Sequence, residues 1–350
     1  MKSRLHRLPL LYSMSFLQKD TKMMDAMLAT CDLTDVMIDS GGYTNHQIWR
    51  KELSGEKPAA KEVKIDDYIQ ACRVLDGKVW QYVMLDRPKV PEESHRNLAA
   101  MLDAGLHPMP VMLISEPIER ALELRGINPH VCVAGAVDNT TRYMEKRFKE
   151  VYAASGIGIH GLGYARHPGI LTVPVASGDA SSWCVGGQYG HITRYEYETG
   201  PERISWRDLS TEGAQTRNAR TRWLDYLNTK LNVSYDQLID PSSYRRICGV
   251  PAMATAYAFM RLSHHASKRG TRLFLAVPNA GWLSVVVALA GSANDQGYFD
   301  YPTARELVLD LNATLNAEPA QYFDRARSIL RDFTTWETAL PTLGRTGQCA

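Results

Sequence analysis

One pattern constrains the fold of this chain more than any other. Up to Trp183, a short apolar run, a polar or glycine turn and an amphipathic stretch follow one another repeatedly. This alternation is typical of β–α units on a parallel sheet, because parallel strands need a crossover between them. Candidate strands lie at 10–16, 36–39, 79–86, 109–114, 130–136, 156–161 and 171–176, and candidate helices at 21–30, 65–75, 93–104 and 141–154.

Seven such units are too many for a small doubly wound domain, and they are one short of the eight units of a (β/α)8 barrel. We therefore expect an α/β fold, a (β/α)8 TIM-like barrel with some irregularity, because the sequence does not reveal the eighth strand. Residues 1–183 would form the barrel core and carry the catalytic strand ends.

The pattern changes after Trp183. Two runs, 191–199 and 202–206, flank Gly200-Pro201 and predict a β-hairpin insertion within 184–210. Residues 211–350 are mostly helical in pattern and are expected to pack on the barrel. They include one apolar run, 273–277, and helical stretches near 303–315 and 319–333.

Composition excludes several classes of protein. Of 350 residues, 45% are hydrophobic and 22% are charged, which rules out disorder and collagen-like repetition. A net charge of +2 neither demands a polyanionic partner nor excludes a local basic groove. The apolar stretch 274–291, which is part of the longest uncharged segment, is interrupted by Pro278-Asn279-Ala280-Gly281, so no membrane segment is expected. We expect a cytoplasmic protein, in the host cytoplasm if a phage encodes it.

The cysteines predict no structural metal site. Six are present, and none forms a C-x-x-C or C-x-C pair. His264 and His265 are neighbours on a predicted helix and do not share a face. We expect free thiols, no metal and no cofactor.

Three aspartates end apolar runs: Asp39, Asp86 and Asp179. Residues at the carboxyl ends of barrel strands point into the mouth of the barrel. Each aspartate taken alone could instead cap the following helix. Carboxylates that converge repel one another, which raises the pKa of one and leaves another ionised. Acid–base and nucleophilic chemistry at a glycosidic carbon requires that difference, so the three together predict a catalytic site.

Two glycine turns end neighbouring predicted strands, one at Gly135 and one at Gly158–Gly163. The second lacks the G-x-G-x-x-G spacing of a dinucleotide site and has no Walker lysine. Glycines at strand ends can also serve close packing alone. His160 lies within this turn, and its simplest interpretation is a hydrogen-bonded core histidine.

Basic residues are frequent after the predicted hairpin begins. Such charges usually solvate helix faces, and a subset could instead contact nucleic acid. The candidates for nucleic-acid binding are Arg194, Arg217, Arg220, Arg222, Arg245 and Arg246.

Several of these motifs resemble one known superfamily. Met37-Ile38-Asp39-Ser40-Gly41-Gly42-Tyr43 resembles the D-S-G-G-F/Y signature of the tRNA-guanine transglycosylases. The segment 177–183, Ser-Gly-Asp-Ala-Ser-Ser-Trp, is similar to the S-x-D-x-x-S-W segment of the phage-type 7-deazaguanine DNA transglycosylases, and 159–163 is similar to a loop of that branch. Asp86 aligns with the superfamily's base-recognising aspartate. The resemblance covers roughly residues 8 to 183.

The resemblance implies a base exchange in DNA that leaves the backbone uncut. Asp179 would attack C1′ and Asp39 would transfer the protons. The guanine or the incoming free 7-deazaguanine base would be bound by Asp86, Ser40, Gly41, Gly42, Gly135, His160 and Gly161. Because C1′ is hidden in a duplex, the nucleotide would be flipped or already unpaired.

The sequence also departs from the tRNA branch. The cysteines and histidine of its structural zinc site are missing, and a glutamine expected near Leu113 is absent. Both departures favour DNA as the substrate. Three alternatives stay open: a tRNA-guanine transglycosylase, a barrel glycoside hydrolase, and a nucleic-acid-binding paralogue without activity.

Overall fold

Eight parallel strands form the central sheet of the protein. The computed structural model describes residues 8–58, 60–88, 90–135, 140–184, 186–210, 217–240, 246–293 and 298–333. The strands are β1 (Leu8–Ser13), β2 (Thr34–Asp39), β3 (Gln81–Tyr82), β4 (Val111–Leu113), β5 (His130–Ala134), β6 (Gly158–Gly161), β7 (Ser177–Ala180), the hairpin strands β8 (His191–Glu196) and β9 (Gly200–Ser205), and β10 (Arg272–Ala276).

Helices alternate with the strands and cover the sheet. They are α1 (Met14–Leu17), α2 (Thr21–Thr30), α3 (Gly42–Leu53), α4 (Ile65–Leu75), α5 (Pro91–Asp103), α6 (Glu119–Arg125), α7 (Thr141–Ser155), α8 (Gly169–Thr172), α9 (Gly186–Tyr189), α10 (Trp206–Ser210), α11 (Arg217–Leu231), α12 (Tyr235–Ile239), α13 (Val250–Lys268), α14 (Ala280–Gly291), α15 (Tyr301–Ala317) and α16 (Pro319–Phe333). Predicted helices 21–30 and 65–75 are confirmed to the residue.

The sheet has the strand order β3-β2-β1-β10-β7-β6-β5-β4, in which every pairing is parallel. This is the neighbour order of a (β/α)8 barrel, with β10 as the eighth strand between β1 and β7. The two edge strands, β3 and β4, are joined by one parallel bridge between Val83 and Met109. The fold is therefore the expected α/β TIM-like fold, curled, irregular and open along this edge apart from the bridge.

The eighth strand coincides with the apolar run 273–277 in the predicted helical region. The sheet therefore uses residues from both the predicted core, 1–183, and the predicted C-terminal part. Helix α13 packs against β10 and against the hairpin strand β8. The hairpin is confirmed: β8 and β9 are antiparallel, with Arg194 opposite Glu202.

The predicted strand 171–176 is wrong. Its first residues belong to α8, and the strand begins at Ser177. Pro174 lacks the backbone N–H that a central strand needs. The strand is built from small residues and not from an apolar run, because the backbone at Tyr164 lies close to it. A Cβ on Gly178 would lie 2.2 Å from the Tyr164 carbonyl oxygen. Predicted strand 79–86 is also shortened, to Gln81–Tyr82.

Trp183 connects the end of β7 to the end of β10. Its side chain is fully buried, and its indole N–H donates a hydrogen bond to the Ala276 carbonyl at 2.7 Å. It also makes an edge contact with Trp282, at 5.1 Å between ring centroids. This contact fixes the segment that follows Asp179.

Among the residues that the structure describes, no helix has both the length and the apolarity to cross a bilayer.

Trp183→Phe should lower the free energy of unfolding by roughly 2–3 kcal/mol, because it opens a cavity and leaves the Ala276 carbonyl without its donor. Urea denaturation followed by circular dichroism measures this. The control is Tyr143→Phe at a side chain that is 45% exposed, for which we expect a change within about 0.5 kcal/mol. Equal stability of the two variants would contradict the anchoring role.

Candidate active site

Asp39 is the last residue of β2 and pairs in register with Ser13, the last residue of β1. The backbone then turns sharply into α3. Gly41 takes a positive φ of 82°, which a residue with a Cβ rarely adopts, and its N–H donates to Asp39 Oδ2 at 3.2 Å. Ser40 is fully buried, and its Oγ accepts the Gly42 N–H at 3.3 Å. The Ser-Gly-Gly sequence therefore builds a compact turn around the Asp39 carboxylate.

The same turn contacts Asp86, which follows the short β3. A Cβ on Gly42 would lie 2.2 Å from Asp86 Oδ1 and 2.6 Å from the Asp86 carbonyl oxygen. Only glycine leaves space for this approach. Gly42 thus allows the carboxylates of neighbouring strand ends to come close.

Asp179 lies on β7, and its Oδ1 atom accepts one backbone hydrogen bond and has one imidazole nitrogen close by. The Gly163 N–H donates to Oδ1 at 2.6 Å. His160 Nε2 lies 3.3 Å from the same oxygen, and His160 Nδ1 lies 2.9 Å from Ser177 Oγ. His160 and Ser177 are fully buried, whereas the Asp179 side chain is 13% exposed. The carboxylate therefore rests on buried polar groups and reaches solvent with a small part of its surface.

All three aspartates act electrostatically on one thiol in the barrel interior. Burial raises the pKa of Cys132, on β5, and the charges of Asp179, Asp86 and Asp39 raise it further. Carboxylates from three separate segments of the chain can do this only if all three lie near Cys132. The three residues predicted from sequence are therefore brought together at the carboxyl end of the sheet.

The environments of the carboxyl groups differ. Burial raises the pKa of Asp39, and the charge of Asp179 adds to the rise, while a hydrogen bond to Ser13 opposes it. Burial also raises the pKa of Asp86, with a further contribution from the charge of Asp39, to about 7. Near neutral pH the site can therefore hold a proton on one carboxyl group while another carries the negative charge.

The predicted base-contacting residues have distinct surroundings. Gly135, which follows β5, has a φ of 126°. Gly161 packs tightly, because a Cβ there would lie 2.8 Å from Tyr164 Cβ and 3.0 Å from Phe148 Cζ. His160 has no exposed surface, so its ring contacts Ser177 and Asp179 in this structure. Of the predicted set, Asp86 is the side chain that lies partly exposed beside Asp39.

The predicted nucleic-acid-binding arginines differ in their hydrogen-bond partners and in their exposure to solvent. Arg194 is tied to Glu202 at 2.7 Å and lies over the Trp223 ring at 5.0 Å. Arg220 donates to the Leu209 carbonyl at 3.1 Å and to the Tyr235 hydroxyl at 2.9 Å. Two others, Arg222 and Arg246, are exposed. The Arg217 side chain and all of Arg245 lie outside the described part of the chain.

Sequence reasoning missed several groups that hold the carboxylates. Ser13 ends an apolar strand and contacts Asp39, Ser177 contacts the ring of His160, and Gly163 donates its N–H to Asp179. A serine closing an otherwise apolar strand was a usable signal for Ser13. The contribution of Gly163 is a backbone group, which no side-chain pattern reveals. Tyr43, directly after the glycine turn, is 59% exposed.

No cluster of metal-ligating side chains is found among the described residues. Free thiols are present at Cys31, Cys72, Cys132, Cys184 and Cys248. Cys349 lies outside the described range. The polar groups of the site are carboxylates, hydroxyls, one imidazole and backbone N–H groups.

Comparisons with known proteins do not place this chain in a family. No protein-family model matches it, and no curated protein matches it. Among solved structures, the chain is similar to a protein from Aquifex aeolicus VF5 with 11% identity and a TM-score of 0.31, over 49% of this chain and 81% of that one. A likeness at this level carries no argument, so the function is inferred from the site and the sequence motifs.

Asp86→Asn should stabilise the protein at high pH. The folded pKa of about 7 lies above the ordinary value of 3.8. Between these values the folded protein keeps a proton that the unfolded chain releases, so this stability is present at low pH and is lost as the pH rises through 7. At about pH 8 the variant should exceed wild type by on the order of 2 kcal/mol, and at about pH 4 the two should be similar.

Urea denaturation across this pH range measures the difference. Asp103→Asn, at an exposed position at the end of α5, is the matched control and should follow wild type. An Asp86→Asn profile parallel to wild type would show that Asp86 is not the group whose pKa is raised.

Proposed function

We propose that this protein is a DNA base-exchange transglycosylase that replaces guanine with a 7-deazaguanine derivative, such as 7-cyano-7-deazaguanine. The observation that carries the proposal is the convergence of Asp39, Asp86 and Asp179, whose charges all reach Cys132. The pKa of Asp39 is raised by burial and by Asp179, so a proton donor lies beside a candidate nucleophile. The resemblance of the Asp39 and Asp179 segments to the transglycosylase motifs supplies the reaction class.

The reaction proceeds in two displacements at C1′ of the target nucleotide. In the first, an Asp179 carboxylate oxygen bonds to C1′ and the C1′–N9 bond breaks. Its electron pair leaves with guanine, which takes a proton from Asp39. In the second, Asp39 accepts the N9 proton of the incoming base, N9 bonds to C1′ and the ester bond breaks. The electron pair of that bond returns to Asp179, and the configuration is retained.

Asp86 suits recognition of the base edge. Guanine and 7-deazaguanine both present an N1–H and an exocyclic amine, and an ionised Asp86 accepts hydrogen bonds from both. The exposed Tyr43 ring beside the glycine turn can contact the face of a flat base. A carboxylate for the edge and an aromatic ring for the face fit a purine-like ligand.

DNA is favoured over tRNA by the segment 177–183 and by the lack of paired cysteines. Mass spectrometry of nucleosides from cells that express the protein, with the precursor base supplied, tests this choice. Deazaguanine in the DNA supports the proposal, and deazaguanine in tRNA alone supports a tRNA-guanine transglycosylase. Only ordinary nucleosides in both nucleic acids would contradict it.

A barrel glycoside hydrolase is the second alternative, because it also uses a pair of carboxylates. Such an enzyme would release a reducing sugar from a saccharide and would not act on nucleic acid. Incubation with labelled guanine separates the two, since only a base exchange incorporates the label into an intact strand.

The three aspartates should fail in different ways when substituted. Asp179→Ala should abolish both exchange and the covalent DNA adduct, because no other group forms the glycosyl ester. Asp39→Ala should slow exchange by roughly 10²–10⁴-fold while the nucleophile remains. Asp86→Ala should mainly weaken binding of the base, by roughly 1–3 kcal/mol per lost partner.

Denaturing gels with labelled DNA detect the adduct, and incorporation of labelled guanine measures exchange. Asp103→Ala, at an exposed position, is the control and should retain both properties. An Asp179→Ala protein that still forms an adduct would shift the nucleophile to Asp39.

The arginines should divide by their surroundings. Arg222→Ala and Arg246→Ala together should weaken DNA binding and reduce its salt dependence, because both side chains are exposed. Arg194→Ala should instead lower thermal stability, because its guanidinium is already paired with Glu202. Fluorescence anisotropy at several salt concentrations measures binding. Unchanged affinity in the double variant would exclude these two residues from the DNA path.

A further inference from the structure

The segment that follows β6 lies against the candidate nucleophile. The Gly163 N–H donates to Asp179 Oδ1 at 2.6 Å. The next carbonyl, that of Tyr164, lies so close to β7 that a Cβ on Gly178 would come within 2.2 Å of its oxygen. The backbone at 163–164 is therefore held against the strand that carries Asp179.

The Tyr164 side chain extends the other way and contacts α7. Its hydroxyl donates to Glu145 Oε1 at 2.8 Å, and its buried ring makes an edge contact with Phe148 at 5.1 Å between ring centroids. Just beyond it, the Arg166 carbonyl accepts the Ile170 N–H at 2.7 Å. The segment after β6 is thus fixed to β7 through its backbone, to α7 through a side chain, and to the turn that follows.

Two exposed arginines flank this contact. Arg166 comes two residues after Tyr164. Burial raises the pKa of Tyr164, and the positive charge of Arg166 opposes that rise, so the guanidinium lies near the phenol. Arg142 lies in the first turn of α7, one turn before Glu145. Within the part of the chain that the structure describes, neither guanidinium has a hydrogen bond or an ion pair.

Arg142 carries its charge where the helix does not favour a cation. The first turn of α7 contains no acidic residue, and the helix dipole makes a positive charge at this end unfavourable. The stability of α7 therefore does not explain an arginine at this position. A charge that costs stability fits a role in binding a ligand.

A DNA strand needs cations close to Asp179. The backbone phosphates flank the sugar whose C1′ would be attacked, and the carboxylates of the site repel them. Arg166 is three residues from Gly163, a length of chain that spans at most about 11 Å, so its long side chain can reach the neighbourhood of that sugar. Arg194 and Arg220 are already engaged in other contacts.

We propose that Arg142 and Arg166 bind the backbone phosphates next to the target nucleotide and so position its C1′ at Asp179. The identity of the target nucleotide rests on the proposed function, whereas phosphate binding by the two arginines does not require base exchange. Guanidinium groups suit phosphate because they donate two parallel hydrogen bonds. The free incoming base carries no phosphate, so the arginines act on one of the two substrates.

Binding is measured by fluorescence anisotropy with a labelled single-stranded DNA that contains guanine. In the double variant Arg142→Gln with Arg166→Gln, the slope of log affinity against log salt should become shallower by about 0.7 per arginine. At about 0.1 M salt, affinity should fall roughly 5-fold per arginine. The control is Arg73→Gln, at an exposed position in the last turn of α4, the end that leads into β3 on the opposite side of the sheet. An unchanged salt dependence in the double variant would overturn the assignment.

A second pair of measurements separates charge from structure. Arg166→Lys keeps the positive charge and should retain most of the affinity that Arg166→Gln loses. Thermal unfolding of Arg142→Gln should occur at or above the wild-type temperature, because the substitution removes an unfavourable interaction with the helix dipole. Equal loss of binding in the Lys and Gln variants, or a clear fall in the unfolding temperature of Arg142→Gln, would indicate a structural role instead.

Steady-state kinetics separate this assignment from the proposed function. In the double variant the KM for DNA should rise by roughly 5-fold per arginine, while the KM for the free base stays at the wild-type value. A wild type that exchanges guanine, with a double variant whose KM for DNA is unchanged, would contradict the phosphate site alone. A wild type whose DNA binding depends on the two arginines but which exchanges no base would support the phosphate site and contradict the proposed function. A wild type that does not bind DNA would contradict both.

Discussion

Repulsion between carboxylates in a buried site is the constraint on which the rest of the candidate site's architecture depends. Three aspartates converge at the carboxyl end of one sheet, where the low dielectric strengthens every charge interaction. Burial and mutual repulsion favour a proton on Asp39 or Asp86. Asp179 instead receives a short hydrogen bond from the Gly163 N–H. The Gly163 N–H lies 2.6 Å from Asp179 Oδ1, whereas the Gly41 N–H lies 3.2 Å from Asp39 Oδ2, so the carboxylates differ in their hydrogen bonding as well as in their burial.

Close backbone packing makes this convergence possible. Gly42 allows Asp86 to approach the Asp39 turn, and Gly178 allows β7 to lie against the Tyr164 carbonyl. Strand β7 is built from small residues, so the nucleophile candidate lies on a tightly packed strand with little freedom to move. A positioned carboxylate on a rigid element fits a displacement at C1′ better than one on a mobile loop, because misplacement by about 1 Å can cost roughly 10²-fold in rate.

The C-terminal half supplies the strand that joins the two ends of the predicted core into one open, barrel-like sheet. Strand β10 lies between β1 and β7 and pairs with both. Asp39, on β2 beside β1, and Asp179, on β7, are therefore positioned relative to each other by a strand that is distant in sequence. Trp183 adds a second connection, through its hydrogen bond to the end of β10. Helix α13 packs against both β10 and the hairpin strand β8. Within the hairpin, Arg194 forms an ion pair with Glu202.

The sequence by itself determined the repeating β–α pattern, the hairpin and the position of Asp39 at a strand end, because periodicity and strand-end polarity are local properties. It did not reveal strand Ser177–Ala180, whose small residues are selected by contacts with Tyr164 and not by hydrophobic patterning. It also did not identify β10 as the eighth strand, because pairing between distant segments leaves no local signal. Only the tertiary structure placed His160 between Ser177 and Asp179 and aimed the Gly163 N–H at the carboxylate, since these contacts depend on where separate strands end in space.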